Sequence, residues 1–216
     1  MDIDSIESYY ELEGDTDGFL LKKIPEEVIT DVKTAVETVQ SDFSKGVPYN
    51  HNLEGQIDKE YWVKLTDRAT SYIRYAVEEY DRFNPRYFHS LAKSKKLTLE
   101  YDGGCWINFQ KKYEYNPIHQ HNGILSFVIW YQIPFYKEDE MKYGAGKNRG
   151  DKEGHNGEFE FVYSDGKKVF SQSLGIDKTM EGYMAIFPSE LSHIVYPFYT
   201  SDDYRITLSG NILTGD

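Results

Sequence analysis

The chain has 216 residues, of which 39% are hydrophobic, 28% charged and 16% aromatic, including 19 Tyr. That is enough apolar material for one domain of ordinary size, which excludes a disordered chain. With 36 acidic against 24 basic residues the formal charge is −12, which argues against a binder of duplex nucleic acid or of anionic membrane.

Residues 1–24 read as irregular apart from a strand at Gly18–Ile24. Residues 26–43 predict a helix, because Val28, Ile29, Val32, Ala35, Val36, Val39 and Phe43 recur at three- and four-residue steps. Pro25, Glu26 and Glu27 suit its start. A Gly/Asn-rich connection follows over 44–58. A second helix is expected from Lys59 to Phe83, with Trp62, Leu65, Ala69, Tyr72, Ile73, Ala76, Tyr80 and Phe83 as its stripe and Asn84-Pro85 as its stop. From residue 97 the period changes to that of strands. Leu97–Tyr101 and Cys105–Lys111 flank Asp102-Gly103-Gly104, a hairpin signal. Further strands are expected at Ile118–His121, Leu125–Pro134, Glu158–Tyr163, Lys168–Gln172, Tyr183–Phe187, Ile194–Pro197 and Tyr204–Leu213. This is an α+β chain, mainly β, with the short strands and turn signals of a sandwich or barrel. It divides into an N-terminal helical support, 1–92, and a β core, 93–216, within a single domain. Residues 136–157 form a Gly-rich, charged loop, read either as solvated surface or as a lid over a site.

No apolar run is long enough to span a membrane, and the acidic N-terminus shows no leader-like stretch. The lone cysteine, Cys105, leaves no internal disulfide and no multi-cysteine metal site, and has no basic neighbour to activate it. A cytoplasmic location is expected.

Three of the six histidines carry the functional signal. In an extended His119-Gln120-His121, residues two apart share a face of the sheet, roughly 7 Å apart, and their imidazoles can converge on one metal while Gln120 points away. His193 lies between two strands. A turn over Thr200-Ser201-Asp202-Asp203, in a hairpin centred near Tyr199, would set His193 opposite Arg205, with Thr207 on Arg205's face. Arginine grips carboxylates with two N–H groups, so the set reads as a metal beside an anchored acidic small molecule. His51 reads as exposed, His89 as packing or surface, and His155 as part of the charged loop. Trp106, Asn108 and Gln110 share one strand face, and Trp130, Tyr131 and Tyr101 are further wall candidates.

These residues resemble the iron(II)- and 2-oxoglutarate-dependent oxygenases over Leu97–Leu213. The likeness is carried by Asn116-Pro117-Ile118-His119-Gln120-His121-Asn122-Gly123, by Phe187-Pro188-Ser189, and by His193, Arg205-Ile206-Thr207 and Asn211. They look most like a phage or marine bacterial branch that is similar to prolyl hydroxylases. The resemblance implies a double-stranded β-helix (jelly roll, cupin-like) with N-terminal packing helices. It implies Fe(II), 2-oxoglutarate and oxygen as cofactor and cosubstrates, and hydroxylation of a small metabolite or protein side chain, with release of succinate and carbon dioxide. His119 and His193 match the family's metal histidines, Arg205 its carboxylate anchor and Thr207 the hydroxyl beside it. Asn108 and Tyr131 are placed with the cosubstrate, and Trp106, Gln110 and Trp130 with the substrate.

The departure is His121, where the family carries a carboxylate. Three ligand sets follow: His119, His121 and His193 together; His121 as first ligand with Gly123 at the carboxylate position, as in halogenases; or a carboxylate from elsewhere, such as Glu114. The rival functions are a three-histidine metal enzyme without cosubstrate and a non-catalytic cupin-like module.

Overall fold

Four valines at helical spacing, Val28, Val32, Val36 and Val39, form the buried face of α1 (Glu26–Ser41). Pro25 enters it in extended geometry, and Glu26 and Glu27 occupy the first turn, where the helix dipole favours negative charge. Helix α2 (Asp67–Phe83) buries Ala69, Ile73, Ala76, Val77 and Tyr80. Thr66 caps it, accepting from the Ala69 N–H at 3.2 Å, and donates its hydroxyl to Asp31 of α1. Arg68 grips the same carboxylate with Nε and Nη2. The computed structural model describes residues 7–13, 16–84, 97–100, 104–144 and 154–214.

The strands are β1 (Glu7–Tyr10), β2 (Phe19–Lys23), β3 (Val47–Pro48), β4 (Glu60–Lys64), β5 (Leu97–Leu99), β6 (Gly104–Gln110) and β7 (Asn116–His119). They continue with β8 (Leu125–Gln132), β9 (Phe159–Ser164), β10 (Val169–Leu174), β11 (Tyr183–Pro188), β12 (His193–Val195) and β13 (Arg205–Thr214). A short helix, α3 (Lys137–Glu140), follows β8. A nine-stranded sheet runs β1-β2-β11-β8-β13-β6-β4-β3, with β5 also on β13. A four-stranded sheet runs β10-β9-β12-β7.

Strand alternation explains the layers. On the large sheet Cys105, Ile107, Phe109, Leu125, Phe127, Ile129, Met184, Ile186, Ile206 and Leu208 join the helix valines in one core. Val128, Trp130, Ala185 and Phe187 point the other way and meet Phe159 and Phe161 of the small sheet in a second core. The central strands β8 and β11 are apolar on both faces because helices cover one side and a sheet the other. On β6 and β13 the inward face is instead polar: Asn108 and Gln110 stand opposite Thr207 and Arg205 in register.

Several elements differ from expectation. The stretch read as the start of the second helix is β4, paired with β6, and the helix begins only after Thr66. Glu60-Tyr61-Trp62-Val63-Lys64 carries strand-favouring residues, and Thr66-Asp67 supplies the cap. β5 does not form a hairpin with β6; both lie along the same edge of β13. Most of that hairpin's turn, at 101–103, lies outside the described residues, as do Tyr101 and His89. β1 and the two-residue β3 arise in segments read as irregular, since pairing across the sheet supplies what local pattern lacks. Among the described residues no helix is long and apolar enough to cross a membrane.

Candidate metal centre

His119 ends β7 and His193 begins β12, and the two stand directly opposite in the antiparallel pair. Their ring centroids are 4.1 Å apart. His121 lies just past the end of β7, where its N–H donates to the Ser189 carbonyl. Its ring centroid is 5.0 Å from each of the other two. Gln120 points away, donating to the Glu190 carbonyl and Ser192 Oγ, and so ties this turn to the 189–192 turn.

The backbone sets the tautomers. His119 Nδ1 donates to the Pro117 carbonyl at 2.7 Å and His193 Nδ1 to the Leu191 carbonyl at 3.0 Å. The proton therefore sits on Nδ1 in both, and each Nε2 presents a lone pair inward. His121 Nε2 is 3.2 Å from His193 Nε2. Ligand atoms of the three lie within 4.8 Å of one another, and no carboxylate belongs to the group among the described residues. Asn116 Nδ2 donates to His119 Nε2 at 3.1 Å while its own Oδ1 is buried without a donor.

Burial holds all three imidazoles neutral. It lowers His119, takes His121 down to about 3, and puts His193 well below the ordinary range, with the neighbouring rings adding to the last two. The neutral ring is the form that binds a metal. Phe159 stacks on His193 at 5.1 Å, Phe187 meets its edge at 5.0 Å, and Trp106 lies 5.5 Å from His121.

An interior cavity of about 50 Å³ joins this cluster to the polar face of β6 and β13, and Arg205, Gln110, Asn108, Thr207 and Trp130 line it. Arg205 is 2% exposed. Its Nε and Nη2 both donate to Gln110 Oε1, Nη2 also to the Tyr196 carbonyl, and Nη1 to the Gly157 carbonyl. No carboxylate reaches it among the described residues, and burial pulls the guanidinium down to about 9. Buried Glu140 is the charge that holds it up, and that carboxylate accepts from the Tyr199 and Thr200 N–H groups.

His193 and Arg205 are not opposed in a hairpin. They belong to different sheets, because residues 196–204 cross from the small sheet to the large one instead of turning back. Both reach the cavity from facing walls. Tyr131 does not line it: one step from Trp130, it packs in the helix-side core. Glu114 is spent on the Asp58 and Lys111 N–H groups. Gly123 has φ +106 and lies against the Ile212 carbonyl. Of the charged loop, 145–153 lies outside the described residues. Its described ends are partly core, since Glu140 and the Arg205-binding carbonyl of Gly157 belong to them. His155 bonds Glu158 and stacks on Tyr196, and Cys105 is buried with its thiol pushed up by desolvation.

A wider cleft of about 490 Å³ shares His119, His121, Asn116 and Trp106 with this cavity and does not reach His193. Tyr49, His51, Glu54, Glu60, Glu100, Trp106, Asn116 and Asn211 are among its walls. Asn211 accepts from Ser126 and donates to Glu100, so it serves this cleft and not the interior cavity. Sequence reasoning quoted Asn116 only within the 116–123 motif, with no role of its own, and passed over Glu60, Glu100 and Tyr49 as candidates. Asn116 had a signal, in its position three residues before His119. Glu60 had none, because its segment reads as helix.

A family model described as "Putative 2OG-Fe(II) oxygenase" matches residues 104–211, half of the chain. A prolyl-4-hydroxylase structure from Pseudomonas putida superposes with a TM-score of 0.54 at 12% identity, covering 94% of this chain and 95% of that one. A second structure, HygX from Streptomyces hygroscopicus with nickel and 2-oxoglutarate bound, gives a TM-score of 0.46 at 12% identity, covering 93% and 84%. No curated protein matches the chain.

Proposed function

Because the chain belongs to the 2OG-Fe(II) oxygenase family, we propose that it is an iron(II)- and 2-oxoglutarate-dependent dioxygenase, a hydroxylase of a small metabolite or protein side chain. We read the two facing sheets as the family's double-stranded β-helix, within a single domain. The observation that carries the proposal is the interior cavity, which joins three neutral imidazoles to a buried arginine that has no carboxylate partner.

The donor set fits iron. Two Nε2 lone pairs are oriented by backbone carbonyls, and the third imidazole points its Nε2 at the same spot. Imidazole suits iron, and three protein ligands leave open positions. When bound, iron with 2-oxoglutarate supplies oxidative decarboxylation coupled to oxidation of a substrate C–H bond. His119, His121 and His193 hold the metal. The aromatic rings around His193 exclude water from that side. Arg205 and Thr207 bind the distal carboxylate of 2-oxoglutarate. Gln110 Oε1 now stands in the guanidinium fork where a carboxylate oxygen belongs, so Gln110 gives way as the diacid enters. Asn108, whose Oδ1 is buried without a donor, offers an acceptor in the same wall.

A second reading is a three-histidine metal enzyme that uses no cosubstrate. The filled fork of Arg205 favours it. Anaerobic addition of iron(II) and then 2-oxoglutarate separates the two. A visible charge-transfer band that needs both is expected; iron binding without any band would leave the second reading standing.

A further inference from the structure

The wider cleft beside His119 and His121 has a one-sided chemistry. Glu54, Glu60 and Glu100 line it, and no lysine or arginine does among its described walls. None of the three carboxylates has a basic partner among the described residues. Glu60 is the strongest of these observations. It is 3% exposed, it sits in the wall of the cleft, and the side chain bonded to it is the neutral amide of Asn108. Burial with no cation opposite pushes its carboxyl up to about 8. Asn116, nine-tenths buried and in the same wall, keeps an Oδ1 that no donor reaches. Tyr49 and Trp106 add stacked aromatic faces, 5.7 Å apart. Carboxylates, an unfilled amide acceptor and aromatic faces together match a positively charged group with N–H donors.

We propose that this cleft binds a cationic substrate, an ammonium or guanidinium group held by Glu54, Glu60 and Glu100 over Trp106, so that carbon near the charge meets the metal centre. The inference rests on the dioxygenase reading and names its substrate class. A bound cation supplies the charge that Glu60 lacks. The volume of about 490 Å³ suits one long side chain or a small amine.

The test is calorimetry on protein loaded with zinc(II) and 2-oxoglutarate, where no turnover intrudes. The probes are a lysine-centred pentapeptide, the same peptide acetylated on Nζ, its glutamate counterpart, and free 1,5-diaminopentane. At least one amine probe is expected to bind about tenfold or more tighter than the acetylated and acidic peptides, and to weaken as salt rises. Glu54→Gln and Glu100→Gln, on the less buried walls, should each weaken the amine several-fold while leaving the acetylated peptide unchanged. Tight binding of the peptide alone identifies a protein side chain as the source, and of the diamine alone a metabolite. Equal or weaker binding of both amines overturns the proposal. So does a result in which the two variants weaken zinc binding and not amine binding, because the carboxylates would then offset the metal's charge. A charge-transfer band without amine preference sinks this inference alone. Amine preference without a band sinks the dioxygenase reading and leaves a cation-binding cleft.

Discussion

At the scale of single residues, function turns on which hydrogen bonds a side chain has already spent. His119 and His193 each donate Nδ1–H to a backbone carbonyl, which leaves Nε2 as the lone-pair nitrogen, and in His119 that lone pair accepts from the Asn116 amide. In the proposed site His121 is the third ligand, at the position where the resemblance expects a carboxylate. His121→Asp restores that pattern and is expected to keep iron bound. His121→Ala should weaken iron by more than the roughly 10–100-fold typical of losing an outer-shell partner. Equilibrium dialysis of both variants checks this, and equal affinity in His121→Ala would remove His121 from the ligand set. Arg205 offers the complementary case. Arg205→Ala should lose 2-oxoglutarate turnover while iron binding changes far less. Gln110→Ala empties the fork, so 2-oxoglutarate should bind several-fold tighter, at a stability cost of about 1–3 kcal/mol for the orphaned N–H groups. Weaker 2-oxoglutarate binding in Gln110→Ala would show that the amide helps the diacid instead of standing in for it. His119, His121, His193, Arg205 and Thr207 were legible as candidates from residue type and order. Tyr131 was misplaced because two adjacent aromatics in a strand face opposite ways, and only the register says which faces in.

At the scale of elements, short connections place the chemistry. Gly157 shows how. Its φ is +74, and a Cβ there would meet the Phe135 ring at 2.6 Å, while its carbonyl accepts from Arg205 Nη1. Gly157→Ala should therefore cost about 1–3 kcal/mol in thermal unfolding and raise the 2-oxoglutarate concentration needed for half-saturation. A stability loss with unchanged half-saturation would mean that this carbonyl does not position the arginine. The helices and most strands of the β core were readable, since valines at helical spacing and alternating apolar runs state their period openly. β4 was not. Its Trp62 and Leu65 also fit a helical stripe, and pairing with β6 decides the outcome.

At the scale of the whole molecule, the acidic balance has a consequence for stability. Glu60 is buried between β6 and the wider cleft, with its carboxyl raised from the ordinary 4.5 to about 8. The folded protein keeps that proton after the unfolded chain has lost it. The stability linked to Glu60 is thus complete below about pH 4.5 and declines as pH rises through about 8. The decline is on the order of a few kcal/mol, since each tenfold difference in proton affinity between the folded and unfolded chains is worth about 1.4 kcal/mol. Denaturant melts from about pH 5 to 8 should show it in the native protein and not in Glu60→Gln. Parallel slopes in the two would assign the pH dependence to other groups.

The order of histidines and arginine along the chain, the helix valines, and the nearly unbroken apolar run of β8 are properties of the sequence by itself. They follow from local periodicity and side-chain chemistry, and they were enough to point to a metal beside a carboxylate anchor. Tertiary structure alone decided that His193 and Arg205 face each other from different sheets. It also decided that Gln110 fills the arginine's fork, and that Glu60 is buried in the wall of a cleft that His119 and His121 also line. The reason is physical: which strands pair, and which chain segment crosses between layers, depends on contacts between residues far apart in sequence, and no local pattern encodes them.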